Sequence, residues 1–124
     1  MASFRRQAAS FGLDQDTLPD GTPVLAVRGD LDLFTAPEFR ERLAACAEAG
    51  RGRVVVDFCG ASFIDSSGAA ALLQVRRLHR EDARLVIVNR DPGIARIFEV
   101  MGLDELFTIV SSREHAAAAF ARPR

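Results

Sequence analysis

The apolar positions of the chain switch between two rhythms, short continuous runs and recurrences every three to four residues. Runs rich in β-branched residues at 24–28, 53–58 and 85–88 predict strands, the last two buried. Weaker strands are expected at 11–16 and 107–110, the latter at a sheet edge. Phe39, Leu43 and Cys46 recur at i, i+4 and i+7, the inward stripe of a helix. Thr35, with Pro37 in the first turn and Glu38 three residues on, predicts a capping box at its start, and Gly50 its stop. A second helix is predicted from Ser66 to about Arg80, with Ala69, Leu72, Leu73, Val75 and Leu78 inward. Asp91-Pro92 caps and opens a third, containing Ile94, Ile97, Phe98 and Met101 and ended by Gly102. Ser111 with Glu114 predicts the start of a last helix, mostly alanine. Leu18 to Pro23 and residues 59–65 read as connections.

Strands alternating with helices predict an α/β fold with parallel pairing in the second half. The first two strands have only a loop between them and are expected to pair antiparallel. The expectation is one domain over residues 1–124, ordered from about 10 to 120. It is a mixed sheet of four to five strands with about four helices packed on it. Phe34, Phe39, Phe58, Phe63 and Phe98 are expected in the core.

Composition narrows the chemistry. All 16 basic residues are arginine, against 17 acidic residues, for a net charge of −1. Without lysine there is no Schiff-base enzyme and no Walker-A nucleotide site. The near-zero charge argues against a nucleic-acid partner. No apolar run approaches the roughly 18 residues of a membrane helix, and the N-terminus lacks a signal-peptide stretch. Cys46 and Cys59 are too few and too far apart for a metal cluster, which fits free thiols in a reducing cytoplasm. No cofactor, metal, membrane or nucleic acid is expected.

The segment from Val54 to Gly68 carries the candidate chemistry. A buried strand leads through a short connection to Asp65-Ser66-Ser67-Gly68 at a helix start. Groups at the carboxyl ends of strands are where open α/β sheets place their sites. A helix N-terminus offers unpaired N–H groups and partial positive charge, so a phosphate on a serine there is tolerated. Asp and Ser are also the commonest N-caps, and Gly68 could serve close packing alone. A hydrolase reading of Ser66 fails, because the esterase elbow wants glycine two residues earlier and residue 64 is isoleucine. Of the two histidines, His79 would lie roughly 20 Å along the same helix, and His115 has no predicted place near Ser66. Asp57 ends a Val-Val-Val-Asp run and resembles a receiver's phospho-acceptor, but the lysine such a domain needs is missing. Asp57 is therefore read as a strand-end residue with local hydrogen bonds. Asp30 and Asp32, without a nearby histidine or further acidic cluster, read as a solvated acidic rim rather than a metal site.

Gly29-Asp-Leu-Asp-Leu-Phe-Thr-Ala-Pro37, Val54 to Phe58, Phe63-Ile-Asp-Ser-Ser-Gly68 and Pro92 to Leu103 together resemble a STAS domain. The nearer likeness is to the stand-alone anti-sigma factor antagonists of bacteria. That resemblance implies a protein that binds an anti-sigma factor with serine kinase activity while unphosphorylated, so releasing a sigma factor. Phosphorylation by that kinase switches it off, and a serine phosphatase resets it. The family's acceptor corresponds to Ser66, with Ser67 as second choice. The implied partner surface comprises Asp30, Asp32, Asp65, Ser66, Ser67, Gly68 and Ala69. Ala69 departs from the family, which usually has a large aliphatic residue there. The alternative is a STAS module that does not switch, either a scaffold or a small-ligand binder.

Overall fold

The computed structural model describes residues 10–78 and 84–121. Their elements follow as β1 (Gly12–Thr17), β2 (Pro23–Leu31), α1 (Ala36–Ala49), β3 (Arg53–Ile64), α2 (Ser66–Leu78), β4 (Arg84–Val88), α3 (Pro92–Val100), β5 (Thr108–Val110) and α4 (Arg113–Ala121). The strands form one five-stranded sheet in sequence order. β1 runs antiparallel to β2, and the remaining neighbours pair parallel. This is the mixed α/β sheet that the alternation of patterns predicts.

Alternation along each strand divides the apolar side chains between two layers. Val54, Val56 and Phe58 of β3, with Leu85 and Ile87 of β4, join Phe39, Leu43, Leu72, Val75, Ile94 and Phe98 of α1, α2 and α3 in the larger core. Val55, Val86 and Val88 face the other way and meet Ala116 and Phe120 of α4. Phe58 is the centre of an aromatic group, 6.3 Å from Phe39 and 5.5 Å edge-on from Phe98. Arg53 and Arg84 lie opposite each other at the start of β3 and β4. Both guanidinium groups stack on Phe120 and donate to the last carbonyls of α4, at Phe120 and Ala119. A basic pair at a helix C-terminus is where the macrodipole favours it.

Several expectations need correction. Residues 59–64 are strand, not connection, because β3 continues to Ile64 alongside β2. The pairing is kept by two register shifts, after Ala26 and after Gly29, each absorbing one extra residue of β3. The capping box at Thr35 does not form. Its hydroxyl turns back to the preceding loop, accepting from the Asp32 N–H and donating to the Asp30 carbonyl, both at 2.9 Å. Ser112 rather than Ser111 caps α4, accepting from the His115 N–H. Phe34 is 87% exposed and Phe63 43%, so neither belongs to the core. Leu78 is also exposed, while Val75 is buried and Leu73 packs at the core's margin. The predicted end of the second helix near Arg80, and His79, lie outside the described residues.

Asp91 caps α3 as predicted, its carboxylate 2.8 Å from the Gly93 N–H. Gly102 follows α3 with φ of 74°, a left-handed turn that favours glycine.

Candidate functional site

Strand β2 ends at Leu31 and β3 at Ile64, and these two residues are register partners with side chains in the same core. The chain then turns from β3 into α2 at Asp65, whose N–H donates to the Leu31 carbonyl at 3.1 Å. The start of α2 is thereby fastened to the end of β2. One carboxylate oxygen of Asp65 accepts from the Ser67 N–H at 2.8 Å and the Gly68 N–H at 3.4 Å. Asp65 is thus the N-cap, and Ser66 is the first helical residue. Ser66 is exposed, and among the described residues no hydrogen bond engages its hydroxyl.

Gly68 explains how the helix comes so near the sheet. A Cβ there would lie 2.8 Å from Leu31 Cγ and 2.9 Å from Ile64 Cγ1, closer than side chains tolerate. Ala69 is buried in the core, so its small side chain fills space under α2 and does not face outward. Of the predicted surface, Gly68 and Ala69 therefore support it from below. Ser66 is exposed, and Asp30, Asp32, Asp65 and Ser67 are half-buried.

Asp30 and Asp32 flank Leu31, the residue whose carbonyl receives Asp65. The three aspartates share one end of the sheet. The rim is more structured than a row of solvated charges, however. Asp32 Oδ1 accepts from the Phe34 N–H at 3.0 Å and from the Thr35 N–H at 3.2 Å. Asp32 and Thr35 bond reciprocally and close the turn between β2 and α1. That turn holds Leu33 and Phe34 outward at 65% and 87% exposure. Sequence reasoning expected Phe34 in the core because of its apolar character and assigned Leu33 no role.

Other candidates lie elsewhere. His115 pairs with Ser111, at the start of α4. Asp57 is nearly buried on the α4 side of the sheet, mid-strand rather than at a strand end. It makes the expected local bond, accepting from the Cys59 N–H at 2.9 Å. It also pairs at 2.9 Å with Arg113, which reaches Asp16 at the same distance. Burial pushes the Asp57 carboxyl up, but the Cys59 N–H and the Arg113 guanidinium outweigh it and hold it below its usual range. Burial raises the Cys59 thiol, and the Asp57 carboxylate beside it adds to the rise. No group of three or more potential metal ligands occurs among the described residues. None of the described helices is long and apolar enough to cross a membrane.

The STAS domain model matches residues 16–116, spanning all five strands in part or whole. The chain belongs to the STAS domain family. Among relatives of this STAS protein, BtrV of Bordetella bronchiseptica bears the name anti-sigma factor antagonist. It is 33% identical over 102 residues, covering 82% of this chain and 88% of BtrV. The crystal structure of an anti-sigma factor antagonist from Mycobacterium paratuberculosis superposes with a TM-score of 0.79 at 24% identity. That match covers 90% of this chain and 95% of the other. SpoIIAA of Bacillus in its phosphorylated form matches with a TM-score of 0.65 at 21% identity, over 88% and 99% of the two chains. The last two likenesses concern the fold.

Proposed function

We propose that this STAS protein is a cytoplasmic anti-sigma factor antagonist switched by phosphorylation of Ser66. Unphosphorylated, it binds an anti-sigma factor that is also a serine kinase, and a sigma factor is released. The kinase transfers the γ-phosphate of ATP to the Ser66 hydroxyl, the complex separates, and a serine phosphatase restores the hydroxyl. The observation that carries this reading is the exposed hydroxyl of Ser66 at the first position of α2, beside an aspartate that caps the helix. The name borne by BtrV points to the same class of partner.

The physical logic is one of local tolerance and remote refusal. A phosphate adds about −1.5 to −2 charges at neutral pH. At a helix N-terminus the domain itself accommodates it. A partner fitted to the neutral hydroxyl meets that charge together with those of Asp30, Asp32 and Asp65. Like-charge juxtaposition at an interface costs several kcal/mol, and about 3 kcal/mol weakens binding roughly a hundredfold.

The test is phosphorylation by each anti-sigma factor kinase of the host, with the modified residue read by mass spectrometry. We expect modification at Ser66, its loss in Ser66→Ala with binding retained, and roughly hundredfold weaker binding for the phosphorylated protein. Modification only at Ser67 moves the site by one residue. No phosphorylation by any such kinase leaves a STAS module that does not switch.

A further inference from the structure

We infer that Leu33 and Phe34 form a preorganised apolar anchor that docks the anti-sigma factor, and that Asp32 and Thr35 are positioning residues for it. This rests on the reading above and names the contact by which the partner is held while Ser66 is presented.

The two side chains are large, adjacent and largely in water, at 65% and 87% exposure. Neither packs in either apolar core of the domain. Such residues in a loose loop would be unremarkable. Here the backbone that carries them is fixed by four hydrogen bonds. Asp32 Oδ1 receives the Phe34 N–H and the Thr35 N–H. Thr35 Oγ1 receives the Asp32 N–H and reaches the Asp30 carbonyl. On the C-terminal side, the Ala36 N–H returns to the Asp32 carbonyl at 2.8 Å and opens α1. The turn is thus built before any partner arrives, and it holds its apolar pair away from the domain. Preorganised aromatic and aliphatic side chains lose little entropy on binding and typically act as interface anchors.

Its place selects the occupant. The turn leaves β2 directly after Leu31, whose carbonyl fastens the start of α2 one residue before Ser66. A kinase that seats Ser66 in its active site therefore has this turn at its edge. The acidic groups at this end of the sheet, Asp30, Asp32 and Asp65, call for a partner whose apolar pocket is rimmed by arginine or lysine. A second copy of this chain would set the same acidic rim against itself. The anchor also gives Asp32 a different task from the one its charge suggests. As a hydrogen-bond acceptor it shapes the turn, and asparagine can accept at the same atom.

The probe is the purified host kinase that phosphorylates Ser66, and the readouts are its affinity for the unphosphorylated protein and steady-state phosphorylation. Phe34→Ala and Leu33→Ser should each weaken binding at least tenfold and raise KM with kcat nearly unchanged. Asp32→Asn, which keeps the acceptor and removes the charge, should lose clearly less affinity than Asp32→Ala, which should behave like Phe34→Ala. Circular dichroism and thermal melting accompany each variant. Should Asp32→Ala not fold, the Leu33 and Phe34 variants, whose side chains lie outside the core, decide the matter. Wild-type affinity for both overturns the anchor while leaving phosphorylation at Ser66 standing. Equal loss for Asp32→Asn and Asp32→Ala overturns the positioning role and makes the charge the contact. A dimer in sedimentation that Phe34→Ala dissociates assigns the patch to a second copy instead. If no kinase modifies Ser66, the function reading and the anchor fall together.

Discussion

Asp57 and Asp65 stand eight positions apart and are used in opposite ways. The Asp65 carboxylate bonds to backbone N–H groups of the next turn, and the serine beside it is left exposed. Asp57 is nearly buried and bound to Arg113, which in turn holds Asp16, so β3, α4 and the end of β1 are tied through one guanidinium. A carboxylate satisfied within its own turn leaves the neighbouring surface free to change its charge. A carboxylate satisfied across the sheet makes the fold depend on it. The difference teaches why the aspartate that closes the valine run need not be the switch, even where the preceding valines invite that reading.

Arg113→Ala attacks the fastened region and carries the largest expected effect. Breaking a fully buried pair costs about 3–5 kcal/mol, and the partial exposure of Arg113 lowers this to about 2–3 kcal/mol. Urea unfolding measures it, and phosphorylation per folded molecule should be unchanged. A loss below about 0.5 kcal/mol, the scale of a surface substitution, would erase the contrast between the regions. Acid sharpens the same point. Because the folded pKa of Asp57 is below its ordinary 3.8, the unfolded chain binds the proton more readily. The stability from Asp57 is complete above that ordinary value and is lost as the pH falls through the lower folded one. Asp57→Asn should flatten this part of the stability–pH curve.

Gly68→Ala comes next, at about 1–2 kcal/mol, because the added methyl displaces Leu31 and Ile64 in a packed core. It should also lower the phosphorylation rate by moving the start of α2, which Arg113→Ala should not. Asp65→Ala is the mildest of the set. Loss of the cap should cost about 1 kcal/mol, and Asp65→Asn should restore most of it. If alanine and asparagine are equally costly in thermal unfolding, the carboxylate does more than cap.

The sheet and the start of α2 were legible because they follow from local rules. Valine runs make strands, and Asp-Ser-Ser-Gly after a strand opens a helix. Asp91 is a cap in pattern and in fact. What stayed hidden depended on distant neighbours. The pairing of Asp57 with Arg113 joins residues 56 apart, and no spacing rule connects them. Thr35, Pro37 and Glu38 fit a capping box, but the hydroxyl is taken by the preceding turn, whose geometry comes from the end of β2. Phe34 and Phe63 were assigned by hydrophobicity to a core that their backbone directions do not reach.

The two register shifts between β2 and β3 have a consequence for how the site can vary. In an unbroken strand one extra residue reverses the face to which every later side chain points. Here each bulge takes up its extra residue, so Ala61 between the two shifts and Ile64 beyond them both stay in the layer of Val56 and Phe58. Length changes in this part of β3 are therefore buffered. Removing the extra residue of either bulge would leave Ile64 opposite Leu31 and Ser66 on its own side of the sheet. Removing a third residue, with no bulge left to supply it, would reverse the face of Ile64 and turn Ser66 away.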